Sequence, residues 1–252
     1  MNRVRGSGFG VGKAGVIDYL DISDGSVAAV VGCGGKTSLI ELLADRFRDK
    51  KVLISTTTKI FPPKMKDVML CETLRQCEEH EPRRGIQCMG LLNSASGKLE
   101  ALPEAFLAAL QPRYDIVLLE ADGSRGLPCK GWLANEPVVP DYCTHTLGLI
   151  TMSALGKTAG ETTVHRLPEF FVLTGVGEGQ VITMQALEAM VCAPTGMFKN
   201  GAGQQYVIVN QAEDDAASRV ALTFLQSIKE KYPARFKKLL FGSVRHNAWQ
   251  EV

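Results

Sequence analysis

The sequence lacks the features that mark nucleic-acid-binding, membrane and secreted proteins. Its 252 residues include 28 lysines and arginines against 27 aspartates and glutamates, so no excess of positive charge would attract nucleic acid or an anionic membrane. No apolar run approaches the roughly 20 residues of a membrane-spanning helix. The first residues lead into glycines rather than into the apolar core of a signal peptide. We therefore expect a cytoplasmic protein.

The cysteines and histidines lack the patterns of a disulfide framework or a zinc site. The seven cysteines are odd in number, irregularly spaced and without a Cys-x-x-Cys pair, which is typical of free thiols in a reducing compartment. Metal-ligand spacing is also missing among the four histidines, which are His80, His145, His165 and His246. No site for a metal other than Mg²⁺ is expected.

Internal repeats, low-complexity tracts and linkers are absent as well. With 45% apolar residues the chain can bury a substantial core, and its length suits one large domain. We predict a single domain over residues 1–252, with a glycine-rich leader at 1–25 and a hairpin insertion at 64–102.

The most informative segment joins an apolar strand pattern at 27–31 to a glycine-rich turn and an amphipathic helix pattern. Glycines let backbone N–H groups converge on phosphate oxygens, and the following helix directs its positive end at the same anion. Lys36 would reach the β- and γ-phosphates, and the Thr37 hydroxyl would bind Mg²⁺. Val30 stands where the usual motif has glycine, so the loop is shortened; the alternative is an ordinary glycine turn. The predicted phosphate-binding residues are Gly32, Cys33, Gly34, Gly35, Lys36, Thr37 and Ser38.

Strand and helix patterns alternate along the chain. Apolar strand patterns occur at 27–31, 52–56, 115–120, 146–151, 206–210 and 238–244, and helix patterns at 36–49, 103–110, 184–192 and 214–231. Strand, helix and strand joined by short turns form a right-handed unit of a parallel sheet. The sequence therefore predicts a three-layer α/β domain of the P-loop NTPase type with a largely parallel sheet.

An acidic turn follows the strand pattern at 115–120. Because ligands sit beyond the carboxyl ends of parallel strands, Glu120 and Asp122 are predicted to hold the water shell of an Mg²⁺ ion that Thr37 binds directly. Arg125 is the best candidate for a catalytic cation supplied by the chain itself. The predicted catalytic residues are Lys36, Glu120, Asp122 and Arg125. A strand-end turn with solvated acids is the alternative.

Two further strand ends should meet the same edge. Thr56, Thr57, Thr58 and Lys59 offer hydroxyls and an ammonium group to an anionic ligand. The alternative is a β-branched strand end with a surface lysine. Asn210 ends the strand pattern at 206–210, and its amide would face a purine base. An asparagine that ends a strand before a capped helix is the alternative.

Three other features carry weaker signals. The long segment at 126–140 is expected to lie over the site. His165 and Arg166 would contact phosphate or move a proton, unless they are structural or solvated. The helix end after Cys33 would lower the pKa of its thiol, although a small residue tolerated in a loop is the simpler account.

Six blocks follow one another between about residues 25 and 215. They are VGCGGKT at 31–37, TTTKI at 56–60, LEADGSR at 119–125 with Pro128 and Lys130, EPVVP at 136–140, VHR at 164–166 and VNQA at 209–212. Together they resemble the selenium-dependent hydroxylase accessory proteins, the YqeC family. This resemblance implies a cytoplasmic P-loop protein that binds a nucleotide during maturation of selenium-dependent molybdenum hydroxylases. The hydroxylase or its pterin cofactor would be the partner. The Glu-x-x-Gly turn also resembles that of metallocentre-assembly GTPases, an analogy at superfamily level.

The function predicted from these features is Mg²⁺-dependent binding of ATP or GTP with slow hydrolysis. Nucleotide state would reorder the loops at 56–61 and 124–140, which would contact the client or its cofactor. One alternative is a small-molecule phosphotransferase or nucleotidyltransferase whose acceptor lies on residues 56–59. The other is a non-catalytic carrier or chaperone whose glycine loop grips the phosphate of a pterin-type cofactor.

Overall fold

The computed structural model describes residues 14–252, and the first part of the leader predicted at 1–25 therefore lies outside the described residues. The strands are β1 (Ser26–Gly32), β2 (Lys51–Thr56), β3 (Lys59–Ile60), β4 (Val68–Cys71), β5 (Gly85–Met89), β6 (Leu91–Asn93), β7 (Lys98–Glu100), β8 (Ile116–Glu120), β9 (Cys129–Lys130), β10 (His145–Thr151), β11 (Val164–His165), β12 (Gln204–Asn210), β13 (Lys238–Ser243) and β14 (Ala248–Glu251). The α-helices are α1 (Lys36–Arg46), α2 (Leu74–Glu79), α3 (Glu104–Leu110), α4 (Leu167–Thr174), α5 (Met184–Cys192) and α6 (Asp215–Lys231).

Nine strands form the central sheet, in the order β14-β13-β12-β10-β1-β8-β2-β5-β4. Each neighbouring pair is parallel except β13 and β14, which are antiparallel. Parallel neighbours need long crossover connections, and helices supply most of them here. The predicted α/β fold with a largely parallel sheet is confirmed.

Both faces of this sheet are covered. Strands β1, β8 and β10 are buried along their whole length, which explains their continuous apolar runs. Alternate residues of β1 enter two separate cores: Val27 and Val31 pack with α3, α5 and α6, whereas Ala28 and Val30 pack with α1. The result is the predicted three-layer arrangement.

The segment at 64–102 divides between two sheets. Strands β4 and β5 extend the edge of the central sheet, whereas β6 and β7 form a hairpin that pairs with β3 in a small separate sheet. At the opposite edge, β14 is a strand that the sequence patterns did not predict, and its Trp249 is fully buried. Helix α1 ends at Arg46, before the expected residue 49, because Phe47 leaves the helical region with φ −105° and ψ 17°.

The carboxyl ends of the parallel strands meet along one edge of the sheet. Gly32, Thr56, Glu120, Thr151 and Asn210 end β1, β2, β8, β10 and β12 there. Residues far apart in the chain are thereby brought to one edge. Across residues 14–252, no helix has the length and hydropathy needed to cross a membrane.

Candidate functional site

The glycine loop between β1 and α1 has the backbone shape of an anion-binding turn. Gly32, Gly34 and Gly35 have φ angles of 92°, 91° and 114°, in the left-handed region that favours glycine. A Cβ atom on Gly32 would lie 2.1 Å from the carbonyl oxygen of Leu149, and one on Gly34 would lie 2.9 Å from the Cβ of Thr151. Close approach to β10 therefore requires glycine at these two positions.

Backbone N–H groups at the start of α1 are available to a ligand. Helix α1 begins at Lys36, and no side chain caps its N-terminus at Gly35. Within residues 14–252, no protein acceptor is found for the N–H groups of Gly34, Gly35, Lys36, Thr37 and Ser38. Unsatisfied N–H groups at the positive end of a helix dipole favour an anion.

Lys36 is a buried, charged side chain directly beneath this loop. Its Nζ lies 2.8 Å from the carbonyl oxygen of Gly32, 3.2 Å from Oδ1 of Asp122 and 3.4 Å from Oγ of Ser124. Burial alone would lower the pKa of Lys36, but the nearby carboxylates of Asp122 and Glu120 outweigh it and raise the pKa. The ammonium group therefore remains protonated.

Thr37 and Glu120 form the more open side of the site. The Thr37 hydroxyl donates a hydrogen bond of 2.8 Å to Oε2 of Glu120. Burial raises the pKa of Glu120, although Lys36 and the Thr37 hydroxyl oppose this shift. Hydroxyl and carboxylate oxygens are the ligands that Mg²⁺ prefers, and Mg²⁺ usually completes its shell with water and phosphate oxygens. The pair therefore fits Mg²⁺ bound together with a phosphorylated ligand, and Thr37 and Glu120 would hold the ion.

Asp122, two residues further on, has entirely different surroundings. Its carboxylate is fully buried and accepts hydrogen bonds of 3.1 and 3.0 Å from the N–H of Gly32 and one of 2.8 Å from Nε1 of Trp132. Burial would raise the pKa of Asp122, but Lys36 and Lys130 outweigh it and lower the pKa. Protein donors already surround both oxygens. The role of Asp122 in a magnesium water shell stays a prediction.

Residues outside the predicted site list connect Asp122 to the segment at 126–140. Lys130 is fully buried, with its Nζ 2.7 Å from the carbonyl oxygen of Gly123, 3.4 Å from Oδ2 of Asp122 and 3.3 Å from Oε2 of Glu136. Glu136 also forms an ion pair with Arg166. The sequence contains one signal for these contacts. Lys130 and Trp132 flank a single glycine in the segment at 126–140, which was expected to lie over the site.

Two of the predicted threonines support the site from β2. The Thr56 hydroxyl donates to the carbonyl oxygen of Glu120 at 2.8 Å and accepts from the N–H of Thr58 at 2.9 Å. The Thr57 hydroxyl donates to the carbonyl oxygen of Val138 at 2.6 Å and so joins the loop at 56–61 to the segment at 126–140.

The Lys59 ammonium group is mostly exposed and forms a 2.7 Å ion pair with Glu100 in the small sheet. It therefore lies at the rim, beyond the threonines that contact β8.

Asn210 is tied to the protein at both ends of its amide. Its Nδ2 donates to the carbonyl oxygen of Gly34 at 2.7 Å, and its Oδ1 accepts from the N–H of Val244 at 2.9 Å. The side chain thus braces the glycine loop against the segment after β13. The contact with a purine base stays a prediction.

The remaining predicted residues lie around the rim or in the core. Arg125 is exposed, and its φ of 51° is left-handed. Burial, with Arg166 and other nearby cations, lowers the pKa of His165 to about 4, so its imidazole is neutral at pH 7. Burial raises the pKa of the Cys33 thiol to about 12. The expected lowering at Cys33 was wrong, because its side chain lies in the core and its N–H donates to Leu149.

Comparison with known proteins links this site to one family. Residues 28–168 match the family model described as YqeC protein. The chain is also 34% identical over 181 residues to a protein of Escherichia coli (strain K12) named "Uncharacterized protein YqeC", and this match covers 69% of the chain and 71% of the relative. Residues 28–168, which the family model matches, include the glycine loop, the Glu120 turn, Lys130 and Arg166.

Proposed function

This chain belongs to the YqeC family, and we propose that its site binds Mg²⁺ together with the triphosphate of ATP or GTP. The observation that carries this proposal is the convergence at one sheet edge of free N–H groups, a charged buried lysine and a hydroxyl–carboxylate pair. An anion is favoured at the loop, and a hard cation beside it.

Each residue near the phosphates has a distinct role in this proposal. The N–H groups of residues 34–38 would hold the phosphates, and Lys36 would turn from Asp122 towards their oxygens. Thr37 and Glu120 would hold Mg²⁺, which would neutralise developing negative charge. Arg125 would supply a further cation only after moving inward from its exposed position, and we therefore propose slow hydrolysis.

We further propose that nucleotide state controls contact with a client, a selenium-dependent molybdenum hydroxylase or its pterin cofactor. The family resemblance motivates this step, and two links in the structure support it. Thr57 bonds to Val138, and Lys130 bonds to Asp122 and Glu136. Through these links a change at the phosphates would move the loops at 56–61 and 124–140.

Titration calorimetry with Mg-ATP and Mg-GTP tests the proposed function. The wild type should bind at least one nucleotide, and Lys36→Ala should weaken that binding by roughly a hundredfold or more, because hydrogen bonds between charged groups are lost. The matched control is Lys229→Ala, at an exposed position of α6, and it should bind like the wild type. Unchanged affinity of Lys36→Ala would contradict the proposal, as would a wild type that binds neither nucleotide.

A further inference from the structure

One buried carboxylate is shared by two lysines that come from different parts of the chain. Oδ1 of Asp122 lies 3.2 Å from Nζ of Lys36, which belongs to the phosphate loop. Oδ2 lies 3.4 Å from Nζ of Lys130, which belongs to the segment at 126–140. The carboxylate is fully buried and the Lys36 side chain nearly so, so water screens these interactions weakly.

A charge chain continues from Lys130 to the start of α4. Lys130 also contacts Oε2 of Glu136 at 3.3 Å, and Glu136 pairs with Arg166, the residue that precedes α4. The signs alternate along Lys36, Asp122, Lys130, Glu136 and Arg166. A lysine with no solvent exposure is rare unless it is paired, and here its partners connect it to the phosphate loop.

We propose that Lys130 is a positioning residue of the phosphate site, acting through Asp122 to leave Lys36 free to turn towards a phosphate. This inference rests on the proposed function. With Lys130 present, the negative charge of Asp122 is divided between two ammonium groups, which also repel each other. Without Lys130, Asp122 would hold Lys36 alone and more tightly.

The same arrangement protects the buried carboxylate when Lys36 leaves. Asp122 keeps three donors, namely the N–H of Gly32, Nζ of Lys130 and Nε1 of Trp132. A buried carboxylate stripped of its cation would be strongly destabilising. Lys130 therefore lowers the free-energy cost of moving Lys36 to the ligand.

A double-mutant cycle on nucleotide affinity tests this role. Lys130→Met should weaken binding of Mg-ATP or Mg-GTP roughly ten- to hundredfold, within the range of measured couplings between buried neighbours. In an Asp122→Asn background the same change should have an effect of about twofold or less, because Lys130 acts through that carboxylate. Multiplicative effects of the two substitutions would overturn the inference.

The matched control is Lys199→Met. Nζ of Lys199 donates to the carbonyl oxygen of Leu133. Burial lowers the pKa of Lys199, Glu136 opposes that shift and Lys130 adds to it, so Lys199 lies within the electrostatic reach of the same charges. Lys199→Met removes a nearby positive charge and one hydrogen bond to the segment at 126–140 but leaves the contact between Lys130 and Asp122 in place, so it should change affinity by about twofold or less. An equal loss in Lys199→Met and Lys130→Met would overturn the role of Lys130.

Glu136→Gln covers the case in which Lys130→Met does not fold, as judged by circular dichroism. Glu136 competes with Asp122 for Lys130, so removing its charge should give Lys130 wholly to Asp122 and loosen Lys36 further. Nucleotide binding should then become tighter, by roughly two- to tenfold. Unchanged or weaker binding would overturn the inference.

Trp132 provides a readout that needs no nucleotide. The chain has two tryptophans, and Trp249→Phe leaves Trp132, which donates to the carboxylate oxygen that faces Lys130. Lys36→Met should shift Trp132 emission, and the shift should be larger in the Lys130→Met background. Equal shifts in both backgrounds would overturn the inference. A wild type without nucleotide affinity would instead refute the proposed function, so the two failures are distinguishable.

Discussion

The two sides of the turn after β8 contain the same chemical group in opposite situations. On one side, the Glu120 carboxylate has the Thr37 hydroxyl as its hydrogen-bond partner, and burial raises its pKa. On the other side, the Asp122 carboxylate has two lysines, a backbone N–H and an indole N–H, which outweigh burial and lower its pKa. The Glu120 carboxylate therefore suits the ligand contact proposed for it, whereas four protein donors hold the Asp122 carboxylate.

The largest expected effect is on stability at Asp122. Asp122→Ala leaves Lys36 and Lys130 without their shared carboxylate and should lower the free energy of unfolding by about 3–5 kcal/mol. Glu120→Gln keeps an acceptor for Thr37 and should change it by about 1 kcal/mol or less. Urea denaturation followed by circular dichroism measures both. Equal losses in the free energy of unfolding would show that the two carboxylates stabilise the fold alike.

The next effect concerns Mg²⁺. Glu120→Gln should reduce the gain in nucleotide affinity that Mg²⁺ provides by roughly ten- to a hundredfold, as for other groups that orient a metal. Binding measured with Mg²⁺ and with excess chelator gives this gain directly. Asp122→Asn should retain most of it. A reversed result would assign the ion to Asp122.

The change in stability with rising pH should have opposite signs for the two carboxyl groups. The folded pKa of Asp122 lies below its ordinary value of 3.8, so its contribution is present above that pH and is lost as pH falls through the folded pKa. The folded pKa of Glu120 lies above 4.5. Its contribution is therefore full below that pH and is lost as pH rises through the folded pKa.

Urea denaturation at a series of pH values on both sides of these pKa values measures the difference. Glu120→Gln should remove the decrease with rising pH but keep the loss on the acid side. Asp122→Asn should do the converse. Identical pH profiles for the wild type and both variants would show that neither carboxyl has a shifted pKa.

The smallest effect is expected at Asn210. Asn210→Ala removes hydrogen bonds to Gly34 and Val244 and should weaken nucleotide binding by about 1 kcal/mol, equally for ATP and GTP. Asn210 positions the glycine loop, and in the proposed site that loop contacts the phosphates, which both nucleotides share. Affinities for both nucleotides, measured by calorimetry, decide the point. A changed ratio of ATP to GTP affinity would show instead that Asn210 contacts the base.

The parts of the site that depend on local patterns were predictable from the sequence. An apolar run, three glycines and Lys36-Thr37 indicated a strand, a turn and a helix in the correct order, and the structure has them at Ser26–Gly32 and Lys36–Arg46. Glu120 was predictable because it ends a strand that is apolar throughout. Predicting these features requires only the residues that lie nearby in the sequence.

The rest depends on contacts between distant residues. The surroundings of Asp122 are one example: β8 ends at Glu120, and the next residues turn Asp122 towards Trp132 and Lys130. Lysine is usually exposed, so the burial of Lys130 was not predictable from its residue type, and only its position beside Trp132 in the segment at 126–140 pointed to the site. The helix end beside Cys33 suggested a lowered thiol pKa, because the direction of that side chain was not evident from the sequence.

The glycine loop is completed by hydrogen bonds to residues that lie far along the chain. The N–H of Gly32 bonds to Asp122, 90 residues further along the chain, and the carbonyl of Gly34 bonds to Asn210, 176 residues further along. During synthesis from the N-terminus, the loop emerges long before either partner. Neither hydrogen bond can form before its C-terminal partner has been synthesised. The glycine loop can therefore be complete only after residue 210 has left the ribosome, and a ligand that needs the whole loop would bind after the earlier steps of folding.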